Sequence, residues 1–345
     1  MIKIDVDKRK WEKIKEEHSE WYSDNILPNI KNAYEFIESQ KSKSYSMKKY
    51  LELLKKIIDK GKDFIIQKEL FLDYENKEID KIIKIMKKKN KKSKSILEIR
   101  FEKLNISEEY LPNQLFCYKK LQTGNKDWNR HKLLSLIGIE ICPYCQRNYI
   151  SSYEENNDEK TTADLDHFYP KSLYPFLALS LYNFIPSCQI CNSRFKGNKD
   201  TRDSVYLYEE GFDELGVKFR TSKEVISETL GERYSDFYVK IDYENLKNKE
   251  DGEKVKNSIE NLGLDRVYKK SHNQYIQNLL YNIEKYPENY LENCVEMFES
   301  DVDKKKQLEE YFKDIVKEPY RKRIENGEPL AKLTKDILEE FDIKI

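Results

Sequence analysis

Two CxxC pairs, Cys142-Pro-Tyr-Cys145 and Cys188-Gln-Ile-Cys191, frame the single Asp-His dipeptide of the chain, Asp166-His167. A CxxC turn presents two thiolates to one metal, and two such turns complete a closed tetrahedral site of the kind that holds structural zinc. A redox couple needs only one pair, set in a thioredoxin-like context; here a second pair is present to close with the first. The spacing therefore predicts Cys142, Cys145, Cys188 and Cys191 as ligands of one structural Zn2+, with no coordination position left for a substrate. Cys117, as a single cysteine at a helical position, is expected to be structural.

The segment inside this frame has its own pattern. Residues 161–167, TTADLDH, read as a short strand ending in Asp166-His167; residues 183–187, NFIPS, read as a second strand; Cys188 to Lys196 starts a helix. Strand, loop, strand, helix is the order of a ββα-metal fold. The stretch resembles the HNH, or His-Me finger, endonucleases in their zinc-stapled form. The sequences DHFYPK, YPFLALSLYNFIPSCQICN and KGN are most similar to HNH nucleases of bacterial antiphage systems such as Septu. The resemblance covers about 60 residues strongly and residues 203–282 weakly.

That motif implies an acid-His dipeptide on the first strand, a central Asn, and a His or Asn on the helix, matched here by Asp166-His167, Asn183 and Asn192. It also implies a lysine three residues after the helix Asn. Here Phe195 takes that place and Lys196 follows it, still on the Asn face of a helix and within reach of a phosphate. Arg194 is a further phosphate contact on this reading. A defence role beside an ATPase partner is likewise what the resemblance implies.

The chemistry of the residues is consistent with the motif. Phosphodiester hydrolysis needs an activated water and a cation to hold charge on the leaving oxygen. An imidazole titrating near neutrality can take a proton from water, which gives His167 the part of general base. Asp166 and Asn192 offer hard oxygens suited to Mg2+ or Mn2+ and leave positions open for water and phosphate. Asn183 is expected to hydrogen-bond the backbone of the loop carrying His167. Two readings stand for Asp164, a second acid or a solvated strand residue, and two for Lys171, a phosphate contact or an exposed side chain.

The rest of the chain bounds these expectations. Lys+Arg and Asp+Glu each total 63, so the net charge is zero and any nucleic-acid contact must be local. The lysine-rich run 81–94, KIIKIMKKKNKKSK, is either a solvated face or a phosphate-contacting surface. Charged residues make up 37% while Gly and Pro are few, a balance that favours helices. Helical patterns run over 5–24, 29–39, 46–73 and 107–139 and return from about 254, while 217–220 and 236–242 alternate like a strand pair. His131 and His272, in helical stretches, are expected to be structural. A charged N-terminus and the lack of a long apolar run predict a cytoplasmic protein.

Together these features predict an α+β, mainly helical protein. A helical region occupies 1–127, a zinc-stapled HNH core 128–202, and a mixed, then helical region 203–345. The expected activity is metal-dependent cleavage of DNA. Two alternatives stand beside it: an HNH nuclease acting on RNA, and a zinc-ribbon binding module for nucleic acid or protein without catalysis.

Overall fold

The computed structural model describes residues 1–68, 94–124, 127–222, 238–285, 307 and 317–344. These are mainly helical, with three two-stranded antiparallel sheets. Of the run 81–94, all but Lys94 lies outside the described residues, as do 69–73 of the predicted 46–73 helix. Two compact units form, one from Ile4–Glu140 and Ile150–Tyr208, the other from Met1–Lys3, Ile141–Tyr149 and Glu209–Ile345.

The first unit begins with a run of amphipathic helices, α1 (Lys8–Asn25), α2 (Leu27–Glu38) and α3 (Tyr45–Lys60). The Asp7 carboxylate caps α1 by accepting from the amides of Arg9 and Lys10, satisfying donors that a helix start leaves open. Met47, Tyr50, Leu51, Leu54 and Ile57 line the buried face of α3, which stops at Gly61, where φ is 55°. After α4 (Ile96–Lys103), the stretch predicted as helix over 107–139 is broken into short turns and then α5 (Arg130–Ile137). Asn129 caps α5, accepting from the amides of His131 and Lys132.

Beyond the helices stand β1 (Ser152–Glu155) and β2 (Asp158–Thr161), a hairpin that residue pattern did not foresee. Its strands are charged, without apolar alternation, and the β1 side chains are exposed. The signal lies in the turn, where Asn156 and Asn157 both take positive φ, 54° and 63°, as a two-residue hairpin loop requires. Next, β3 (Asp164–His167) pairs with β4 (Phe184–Ser187), setting His167 opposite Phe184 and Asp166 opposite Ile185. A π-helix, α6 (Ile190–Lys196), follows.

The second unit holds β5 (Lys218–Thr221) paired with β6 (Val239–Asp242), close to the expected strand pair, then α7 (Gly252–Leu262), α8 (Leu264–Ser271), α9 (Asn273–Lys285) and α10 (Ala331–Glu340). Asp336 on α10 accepts from the Phe219 amide at 2.9 Å and pairs with buried Lys332. The 141–149 turn belongs to this unit. Tyr268 donates its hydroxyl to the Cys145 carbonyl at 2.6 Å, and the Gln146 side chain accepts from the Lys332 amide at 3.0 Å.

Candidate functional site

The four cysteines are all buried, and their sulfurs lie within 4.8 Å of one another. None forms a disulfide. Two sulfurs also accept local hydrogen bonds, Cys188 from the Cys191 amide at 3.5 Å and Cys145 from Asn148 Nδ2 at 3.8 Å. Such donors stabilise thiolate charge, and an all-sulfur donor set is soft, so these residues fit a closed Zn2+ site. Cys117 is half-buried and stands outside the cluster.

A cleft of about 380 Å3 opens beside β3, and its lining gathers Asp164, Asp166, His167, Lys171, Asn192 and Lys196. Asn183 and Arg194 are not part of that lining. Arg194 is exposed on α6, and Asn183 is fully buried. Its amide oxygen accepts from the Tyr169 amide at 2.7 Å, and its Nδ2 donates to the carbonyls of Tyr169 (3.1 Å) and Leu177 (2.9 Å). One side chain thus closes both ends of the 169–177 loop that follows His167.

His167 is 6% exposed, and its Nε2 lies 3.0 Å from the carbonyl oxygen of Ala178. A carbonyl only accepts, so Nε2 carries the ring proton and Nδ1 keeps the lone pair. Burial, with help from the positive charges of Lys171 and Lys196, pushes its pKa down to about 3, against the opposing pull of the Ala178 bond. The ring is therefore neutral near pH 7 and free to accept a proton, but it titrates well below the near-neutral value expected from the sequence, because burial disfavours the charged imidazolium. Tyr118 packs edge-on against it with ring centroids 4.8 Å apart, and Phe184 does so at 5.4 Å.

The acids are engaged from α6. Lys196 Nζ donates to Asp166 Oδ1 at 3.0 Å and to the His167 carbonyl at 2.6 Å. Asn192 Nδ2 donates to Asp164 Oδ2 at 2.9 Å, which fixes the amide with its oxygen turned the other way. The helix makes this possible by widening. The Gly197 amide bonds the Asn192 carbonyl at 2.8 Å, five residues back, and Lys196 shares the cleft with Asn192 although it stands one place later than the motif's lysine. The Lys196 ammonium, expected from the sequence to reach for a phosphate, is 2% exposed and bound to the protein itself.

Three further lining residues come from the chain before the first CxxC pair: Tyr118, Gln122 and Arg130. Their signal in the sequence is weak, since each sits at an ordinary helical or turn position and only the tertiary fold carries it to β3. His18, on α1, is another buried histidine near this loop. Its Nε2 bonds the Leu179 carbonyl at 2.8 Å, its Nδ1 accepts from Trp128 Nε1 at 3.0 Å, and burial lowers its pKa to about 4. His131 lines a neighbouring cavity, and His272 accepts from Arg147 Nε at 2.7 Å.

Part of the chain has a known relative. Over 102 residues, 29% of the chain, it is 33% identical to the Septu protein PtuB of Bacillus thuringiensis. The chain spans about a third (34%) of that relative's length. No family model and no solved structure matches the chain. Among the described residues, no helix is long and apolar enough to cross a membrane.

Proposed function

We propose that this protein is a metal-dependent HNH-type endonuclease that hydrolyses DNA and serves in antiphage defence beside an ATPase partner. The observation that carries the reading is the cleft, in which a neutral histidine with its Nε2 proton committed to Ala178 stands next to hard-oxygen donors on β3 and α6. The partial likeness to the Septu protein PtuB supports the defence context. Residues 128–202 form the nuclease core in this reading.

The donors fit a hard divalent cation. Asp164, Asp166 and Asn192 line one cleft and offer carboxylate and amide oxygens of the type Mg2+ and Mn2+ prefer. Asp166 and Asn192 would hold the ion, sharing the Asp166 carboxylate with Lys196. When bound, it would polarise the phosphate and stabilise the departing 3′ oxygen. His167 accepts a proton from water at Nδ1, which the Ala178 bond turns toward the task by fixing the tautomer. Asn183 holds the loop whose carbonyl makes that bond, and Lys196 anchors the Asp166-His167 dipeptide from below.

The test is digestion of duplex DNA, single-stranded DNA and RNA by the zinc-loaded protein with Mg2+ or Mn2+. His167→Ala should abolish cleavage while zinc content and DNA affinity stay at wild-type values. Cleavage confined to RNA would reassign the substrate. Failure to cut any of the three, with the proteins encoded beside it also present, would leave a binding module.

A further inference from the structure

Tyr118 organises one wall of the cleft. Its ring stands edge-on to His167 at 4.8 Å, Lys171 Nζ lies 4.8 Å from the centroid of the same ring, and Arg130 lines the same cleft, near enough for its charge to act on the Tyr118 phenol. One half-buried aromatic side chain therefore has an imidazole, an ammonium and a guanidinium around it.

The charges in the cleft are unevenly compensated. Asp166 is neutralised by buried Lys196, and Asp164 is bonded by Asn192. Among the described residues, Arg130 and Lys171 form no ion pair with a carboxylate, and Lys171 lies over the Tyr118 ring. Counting Lys196, the lining carries three cations against the carboxylates of Asp164 and Asp166, so one positive charge remains beside His167 for an anion to meet. A phosphodiester brings one negative charge on two non-bridging oxygens, which matches the planar fork of an arginine and the point charge of a lysine.

We propose that Arg130 and Lys171, which share the cleft with Tyr118 between them and His167, form the seat of the scissile phosphodiester of a nucleic acid. The inference rests on the nuclease reading and deepens it. It moves the phosphate contacts from α6 to the opposite wall, where Arg130 comes from a helix outside the cysteine frame. It also gives Lys171 a function beyond exposure and explains why the cleft needs no phosphate contact from Lys196.

The experiment compares wild type, Arg130→Gln, Arg130→Lys and Tyr118→Phe, each checked for zinc content and circular dichroism. Cleavage of labelled duplex DNA is followed with Mn2+, and binding of the same duplex is followed with Ca2+ across a salt series. Arg130→Gln should cut at least about 100-fold more slowly, the usual cost of losing a donor to transition-state charge. It should also lower the slope of log K against log salt by about 0.9, the signature of one lost phosphate contact. Arg130→Lys should restore the slope but not the rate, because the fork is gone. Tyr118→Phe, which keeps the ring and removes the hydroxyl from the wall that Arg130 shares, should slow cleavage with the slope intact.

Wild-type rates and slopes in both Arg130 variants would overturn the seat while leaving the nuclease reading in place. A wild-type protein that binds but never cuts, and whose slope still falls in Arg130→Gln, would retain the seat and remove the nuclease. Should Arg130→Gln fail to fold, Arg130→Lys decides, since an undiminished rate there contradicts a bidentate role.

Discussion

Lys196 Nζ and Asp166 Oδ1 form a 3.0 Å ion pair between side chains that are 2% and 3% exposed. Breaking such a pair from one side leaves a charge in a place that water does not reach. Lys196→Met should therefore lower stability by about 3–5 kcal/mol, read as a shift in the denaturation midpoint. The double variant Asp166→Asn/Lys196→Met should recover much of that loss, because neither charge remains. If ammonium and cation share the carboxylate, Mn2+ should raise the melting temperature of Lys196→Met more than that of wild type. Equal increments would sink this competition.

His18 supplies a pH dependence whose sign follows from its burial. Its pKa is about 4 in the folded protein against an ordinary value near 6.5. Between those values the unfolded chain holds the proton that the folded one refuses, so stability rises with pH across the window. The contribution is complete above about pH 6.5 and is lost as pH falls toward 4, for a total of roughly 3 kcal/mol. Urea titrations at pH 5 and pH 7.5 should differ by this contribution plus one of the same sign from His167, and His18→Asn should reduce the difference by the His18 share. An unchanged pH slope in that variant would assign the effect to other groups.

The cysteine cluster was legible because a chemical requirement is written as a short spacing, and the strand ending in Asp166-His167 was legible from its pattern. The role of Lys196 was not. Lysine is almost never buried without a partner, and the partner only becomes visible when β3 and the π-turn of α6 are in place. Arg130 and Tyr118 were invisible for a related reason, since they lie outside the framed stretch and reach the cleft through tertiary packing. The β1–β2 hairpin escaped because its strands are mostly polar or charged and lack apolar alternation, leaving the Asn156-Asn157 turn as its one signal.

Asn183 tests whether the loop after His167 is held from behind. Replacing it with Ala removes three hydrogen bonds and strands the buried Tyr169 amide, at a cost of about 3 kcal/mol. Asn183→Asp is the sharper variant, because it keeps the size and the acceptor yet turns a carboxylate toward the carbonyls of Tyr169 and Leu177. It should be no more stable than the Ala variant at neutral pH. Stability close to wild type in Asn183→Asp would show that the two donated bonds contribute little.

The cysteine cluster predicts a metal distinct from the one the cleft would take. Four thiolates at about 2.3 Å from zinc stand about 3.8 Å apart, a small contraction from sulfurs already within 4.8 Å. Purified protein should hold one zinc per chain, and X-ray absorption should show sulfur alone in its first shell. Cys188→Ser should lose the metal and lower the melting temperature, because structural zinc contributes directly to folding free energy. Excess Mg2+ should not reverse that loss, since a hard cation gains little from thiolates. A cleft variant such as Asp166→Asn should leave the zinc in place, and loss of zinc on that substitution would mean the two sites are one.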